Sequence, residues 1–500
     1  MMPRRLLQLL IAMTFVATFT ACSDDKEVAD MPNVGNCYVN FAISVSNGES
    51  GMRATTPAGG EDGDGRETGV VRENTVSGIT VILYRDASGI NTSSNPILEF
   101  VRYFTVAERA TGSSPYEITY TTGLQSIGRH HLDLSATYHA IVIANAPEVA
   151  NSLIEGTSKL NDIRNVTLSK VCQGDPTMSA AACNQFIMSS EKDNTINFGS
   201  VTVTNLDGTT YTPGNDMYYD LTAQPVVIER MAARIDFWSK NSNGYKTSAD
   251  NAAYTIPGYE YDVTGSSDKF VVTGIVPFNL PNGHATYGIE YLLKRLRTDI
   301  ADATTTSYLA DEGPTTYVID PNTDGKGESS TPALTSSLGN VYDLITASTL
   351  ENTTDNPYYH SIASMHGVAS ASSTIDGKEN VAVCYPMENC LLPTSKLYYY
   401  ATGIAIIGYY YKNGTGTGTR MVYLGYLSHQ GDAETYDINP STIPFGTTDA
   451  MGGATAMKYG IVRNNIYRVS IESISPLAGK LSLKVAVHDW RHVEHPIINI

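Results

Sequence analysis

Apolar and polar side chains alternate with a period of two along much of this chain, with almost no helical spacing between, and that pattern confines the fold to sheets. "GITVILYRD" at 78–86, "YHAIVIANAPEV" at 138–149, "NFGSVTVTNLDG" at 197–208, "QPVVIERMAARIDFW" at 224–238 and "KFVVTGIVPFNL" at 269–280 follow one another with turn residues between them. Helices are expected only as short pieces, at 149–160 behind Pro147 and Glu148 and around 289–297. At 500 residues, about two to three domains are expected. The expectation is a mainly β protein: two β-sandwich-like domains in tandem, with short helices and loop insertions. The boundary is placed at Gln224 and Pro225, where a polar stretch gives way to an apolar one, so the domains are 54–224 and 225–500. Polar insertions within 233–250 and 311–334 are read as loops of the second domain.

The first 22 residues, "MMPRRLLQLLIAMTFVATFTAC", carry two arginines, an apolar run and then a cysteine. The run is too short for a membrane span of about 20 residues and reads as an export signal, 1–21. The small residues before Cys22 suit a lipoprotein signal peptidase, which makes Cys22 the candidate lipid attachment site. The membrane is then reached only through that lipid. "LYYYATGIAIIGYYY" at 397–411 is rich in tyrosine and reads as sheet strands.

In "CYVNFAISV" at 37–45, Cys37, Val39, Phe41, Ile43 and Val45 are apolar with Asn40 and Ser44 between them, the pattern of a strand buried on one face. Directly after it, 47–68 is Gly, Ser, Thr, Pro and acid interrupted by Arg53 and Arg66, a composition that stays exposed to proteases. A core strand thus hangs on a cleavable tether. A cut after Arg53, before Ala54, would make 22–53 a propeptide; Arg66 and Arg72 compete as sites. That cut would also remove Cys37 and leave four cysteines in two sequence-local pairs, Cys172 with Cys183 and Cys384 with Cys390. Disulfides and free buried thiols both remain open for them, while Cys37 reads as a small apolar residue.

A net charge of −18 argues against nucleic acid as a partner, since phosphate binding needs the opposite sign. Tyr outnumbers Phe 32 to 11 and charged residues are only 17%, which suits an extracellular β protein with hydrogen-bonding aromatic surfaces. "DPNTDG" at 320–325 has the alternate oxygen ligands of a calcium loop but Thr331 where a bidentate Glu belongs, and is read as a solvated hairpin loop. "HDWRHVEH" spaces His488, His492 and His495 for one face of a helix, yet the preceding "LSLKVAV" is strand-like, so no metal is assigned. There is no G-x-S-x-G, H-E-x-x-H or phosphate loop; "GTGTG" at 414–418 is read as a hairpin tip. The chain is read as a non-enzyme without cofactors.

Several stretches together resemble the fimbrillins of Bacteroidales, the type V pilin family, and within it the major subunits of short fimbriae. They are the lipoprotein start, the alternating strand ended by Arg53 and Ala54, "YHAIVIANAPEVANSL", "FIMSS" at 186–190, "IERMAARIDF", "VRNNIYRVSI" at 462–471 and "LKVAVHDW" at 483–490. "SDDK" after Cys22 resembles the sorting signal of surface-exposed lipoproteins in that order. The resemblance implies a surface fimbrial subunit that supports adhesion and reaches the outer membrane as a lipoprotein. It implies an Arg-directed surface protease that removes the first strand, and a vacated groove that accepts a C-terminal strand from another subunit.

The tethered strand would then be a placeholder that keeps a sheet from pairing prematurely. The donor strand is placed in 481–500, where Leu481, Leu483, Val485 and Val487 alternate with polar or small residues ahead of Trp490, with the alternative that the nearer part belongs to the second domain and only the end is donated. Expected partners are copies of the chain, other fimbrial subunits and host glycan or protein ligands. Two other readings are a tip or accessory subunit, which needs only to accept a strand, and a monomeric glycan-binding surface lipoprotein, which would need an aromatic platform.

Overall fold

The strand Gly78–Tyr84 illustrates how the N-terminal half is built: all seven residues are buried, because antiparallel neighbours Phe100–Thr105 and Thr137–Ala144 flank it and both faces are covered. The short helix Pro147–Ser152, with Val149 fully buried, packs against it. That helix is shorter than the sequence suggested. Leu153 is already extended, Gly156 sits at a φ of +72°, and 160–165 form a separate 3-10 turn. The computed structural model describes residues 35–45, 66–68, 73–85, 95–109, 119–128, 132–133, 136–165, 172–173, 184–190, 194–278, 359–368, 372–386, 402–427, 436–437, 461, 463–475 and 480–491. The calcium-like run at 320–325, the expected helix at 289–297 and the insertion at 311–334 lie outside them.

The protein is mainly β; the described residues form two pairs of larger sheets and a two-stranded one, with a core cluster centred in the N-terminal half that extends to Val276, Ala405 and Ile466, and a second in the C-terminal half. In the N-terminal half a nine-stranded sheet has Val226–Arg230 near its centre. A four-stranded sheet is built on Met217–Asp220 and Gln125–Gly128. In the C-terminal half a seven-stranded sheet contains Lys378–Cys384, Arg234–Trp238, Asn465–Ser475 and Lys480–Arg491 in that order, and a six-stranded sheet contains Gly258–Asp262, Lys269–Phe278, Gly403–Tyr411 and Thr419–Tyr426. The last two form a hairpin with Tyr410 opposite Thr419, so "GTGTG" is its tip, where Asn413, Gly414 and Gly416 supply positive φ.

One boundary is corrected. Val226–Arg230 pairs with strands of the N-terminal sheet, and Arg234–Trp238 is the first strand of the C-terminal one. The switch between halves therefore falls at 231–233; the composition change at Pro225 marks only a turn, closed by Gln224 N–H donating to Leu221 O (2.9 Å). Within 233–250, Arg234–Trp238 is buried between two strands, so the polar insertion expected in that region is confined to the residues after Trp238. No helix among the described residues is long and apolar enough to cross a membrane.

Candidate functional site: the groove around residues 37–45

The N-terminal segment forms two strands, β1 (Cys37–Asn40) and β2 (Ala42–Val45), separated at Phe41. β1 belongs to the four-stranded sheet and β2 to the nine-stranded one, so the segment crosses from one sheet to the other. β1 runs parallel to Met217–Asp220, with Cys37 opposite Met217, and antiparallel to Gln125–Gly128 on its other side, with Val39 opposite Gln125. β2 repeats the arrangement, parallel to Val226–Arg230 with Ile43 opposite Val226, and antiparallel to Thr119–Thr121 with Ala42 opposite Thr121. Three ribbons thus cross between the sheets side by side, and the N-terminal one is in the middle.

The bend is held by Thr122. Its N–H donates to Phe41 O and its Oγ1 accepts from Phe41 N–H, both at 3.0 Å. The parallel side is sewn by Met217 N–H to Asn36 O (2.8 Å) and Leu221 N–H to Asn40 O (3.0 Å). At the mouth, Asn36 N–H donates to Asp216 Oδ1 (2.8 Å). Beside it, a Cβ on Gly35 would stand 2.3 Å from Asn215 O, so only glycine fits this approach.

Cys37, Val39, Phe41, Ile43 and Val45 are all no more than 2% exposed. The Phe41 ring lies 6.1 Å from that of Phe100 and 5.7 Å from that of Phe104, centroid to centroid, within the range of favourable aromatic pairs. Burial pushes the Cys37 thiol up to about 12, so it stays a neutral apolar filler. The one-faced burial expected for the whole segment holds only for β1. In β2 the residues of the other face, Ala42 and Ser44, are buried as well, at 3% and 2%. Five apolar side chains in this environment stabilise the seated strand by on the order of 10 kcal/mol as an upper bound.

Sequence reasoning missed the polar cluster at the junction of the two halves, at the end of the strand that flanks β2. Arg230, fully buried, donates through Nε to Glu73 O (3.0 Å) and through its terminal nitrogens to Asn464 Oδ1 (2.8 Å) and Asn74 Oδ1. Arg234 forks onto Asp236 with bonds of 2.8 and 2.9 Å and reaches the Glu73 carboxylate at 3.2 Å, while the Tyr385 hydroxyl donates to the same carboxylate. Asn380 donates to Asp236 Oδ2 (2.8 Å) and accepts from Arg468 Nε (3.2 Å).

Burial is the largest influence on Arg230 and lowers its pKa to about 10, against the opposing pull of Glu73. For Arg234 burial also acts downward, but Asp236 and Glu73 together outweigh it and the pKa rises. Asp236 mirrors this: burial alone would raise it, and the Arg234 guanidinium brings it below the ordinary carboxylate range. Glu73 therefore anchors the chain just downstream of the arginines proposed as cut sites. In "IERMAARIDF" Arg234 and Asp236 alternate with Ile235 and Phe237, which alternation alone assigns to an exposed face, and the partner Glu73 is far away in sequence.

The expected donor segment is a strand in the C-terminal sheet. Lys480–Arg491 pairs antiparallel with Asn465–Ser475 from Lys480 opposite Ser475 to Asp489 opposite Asn465, so Val485, Val487 and His488 are extended backbone opposite Val469, Tyr467 and Ile466. The helical histidine face considered for 488–495 therefore does not begin at His488, and His492 and His495 lie outside the described residues. Leu481 and Leu483 are core residues at 1% and 4% exposure, and 492–500 also lie outside the described residues. Cys384 is a free thiol, fully buried and raised by burial, instead of half of a pair with Cys390. It sits on the strand Lys378–Cys384 opposite Ile235 and fills the core. Cys172 lies in a two-residue strand paired with Asn184–Phe186. Cys22, Arg53, Ala54, Cys183 and Cys390 lie outside the described residues.

No family model matches the chain and no curated protein matches it. Solved structures similar to it are fimbrial and cell-adhesion proteins of Bacteroidales. A proposed cell adhesion protein from Parabacteroides distasonis ATCC 8503 is 14% identical, with 92% of this chain and 100% of that one covered at a TM-score of 0.40. The tip fimbrial protein Mfa3 from Porphyromonas gingivalis is 11% identical, with 91% and 100% covered at a TM-score of 0.36. The fimbrilin FimA from Porphyromonas gingivalis W83 is 14% identical, with 93% and 100% covered at a TM-score of 0.36.

Proposed function

We propose that this protein is a structural subunit of a surface fimbria that supports adhesion, polymerised by strand exchange. One observation carries the reading: β1 and β2 are the middle ribbon of the N-terminal half, paired on both sides, yet they are joined to the rest of the chain only through 46–65, which contains Arg53. An Arg-directed cut there leaves the ribbon held by non-covalent contacts alone. Once it leaves, the slot exposes backbone donors and acceptors on two sides and an apolar floor that includes Phe100 and Phe104, which is unstable in water until another strand fills it. The same chain, exported on a Cys22 lipid, provides that strand at its C-terminus.

Leu481 and Leu483 are needed at home, since withdrawing either from its core costs about 2–5 kcal/mol, so the donated part begins beyond them. That part runs through Val485, Val487 and Trp490 toward Ile500 and leaves its ladder with Asn465–Ser475 on donation, while Leu481 and Leu483, expected from the sequence to be donor residues, stay. Deleting 492–500, which leaves the ladder between Lys480–Arg491 and Asn465–Ser475 whole, tests this. Subunits are expected to fold, reach the surface and be cut, but to remain monomeric by size-exclusion chromatography and electron microscopy. Filaments of normal length from the truncated chain would overturn the mechanism.

A further inference from the structure

The strand β3 (Arg66–Thr68) lies between the tether and the body of the protein in sequence, and it pairs in parallel with the far end of Lys480–Arg491. Its register is Asp489 opposite Arg66, Trp490 opposite Glu67 and Arg491 opposite Thr68. The ladder between Lys480–Arg491 and Asn465–Ser475 stops at Asn465 opposite Asp489, because the chain turns away at Asn464, whose φ is +59°. Among the described residues, Trp490 and Arg491 are therefore in strand form through β3 alone.

A three-residue strand has too few backbone bonds to hold itself in place. β3 is tied on both sides: upstream, through 46–65, to the buried β2, and downstream, through 69–72, to Glu73, which is ion-paired to Arg234 at 3.2 Å. Fixed ends shorten the excursions open to an unpaired β3 and so favour re-pairing. We propose that β3 is a latch on the end of the C-terminal strand, and that the cut which frees β1 and β2 also removes the upstream anchor of this latch. One cleavage would then ready the subunit at both ends, opening the slot and loosening the strand end that lies next to 492–500. The release step rests on the strand-exchange reading and on the cut at Arg53; the pairing does not.

Amide hydrogen exchange on dilute, unassembled protein tests it in three states: the intact chain, the chain cut after Arg53, and the intact chain carrying Glu67→Pro and Thr68→Pro. Successive residues of a parallel strand aim their N–H groups at opposite neighbours, so two adjacent prolines remove a donor directed at Lys480–Arg491. Exchange within 490–491, at whichever of the two amides is aimed at β3, is expected to rise by roughly tenfold or more in both the cut chain and the double variant, with Leu481 and Leu483 unchanged. Unchanged exchange at 490–491 in the double variant would overturn the latch. A rise in the variant but not on cutting would overturn its coupling to processing, and the cutting arm decides the matter even if the variant folds poorly. Polymerisation of the cut chain is scored separately: an unlatched end without polymerisation would count against strand exchange and not against the latch.

Discussion

Replacing Phe41 by Ala should destabilise the precursor and leave the finished filament untouched. In the precursor the ring is 2% exposed and packs on Phe100 and Phe104 at the bend between the two sheets. Truncating a buried phenylalanine costs about 3–5 kcal/mol, and the two ring contacts place this site in the middle of that range, at about 4 kcal/mol. For a half of this size each kcal/mol lowers Tm by about 2–4 °C, so the intact precursor should melt about 8–16 °C lower by near-ultraviolet circular dichroism. After cleavage the same loss appears as weaker retention of the strand, with escape faster by roughly a thousandfold, measurable as the appearance of the free peptide by mass spectrometry. Filaments assembled from the variant should have wild-type stability, because residue 41 is no longer in them. A precursor that melts within about 2 °C of wild type, or filaments that inherit the defect, would refute the reasoning.

Cys22→Ala should leave the protein soluble or stalled with its signal attached, and normal membrane partitioning and assembly of that variant would show lipidation to be dispensable. Arg53→Ala should block maturation and polymerisation together, scored on gels of cell-surface fractions; mature-sized subunits from the variant would move the cut to Arg66 or Arg72. The Asp236 carboxylate is held below its ordinary value of 3.8 by Arg234, so its contribution to stability is fully present above that pH and is lost as pH falls through the lower folded value. Urea unfolding between pH 6 and pH 3 should therefore show a drop that Asp236→Asn flattens, and an unchanged slope in the variant would exclude Asp236 as its source. The Cys384 thiol, buried and raised, should resist thiol reagents in the native protein and react on unfolding; fast native labelling would contradict its place in the core.

The buried strand at 37–45 was legible because of its alternation, but its bend was not. Cys37, Val39, Phe41, Ile43 and Val45 keep one period straight through Phe41, so nothing local marks the change of sheet. Its partners were equally hidden, since Met217–Asp220 and Val226–Arg230 lie some 180 residues away and pairing at that distance leaves no trace in local periodicity. The polar junction was missed for a different reason. Charged residues in a strand read as solvent-facing unless their partners are known, and here Arg234 finds Glu73 and Asp236 inside the protein. The "GTGTG" tip was readable because strand-like neighbours on each side left the backbone little choice.

The central claim is that the subunit in the filament lacks the strand on which the free precursor depends. Intact-mass and N-terminal analysis of the main band from purified surface filaments tests it most directly. The account predicts a chain beginning at Ala54, with no peptide from 37–45 recovered from the filament. A chain beginning at Cys22, with Cys37 to Val45 still covalently attached, would contradict it.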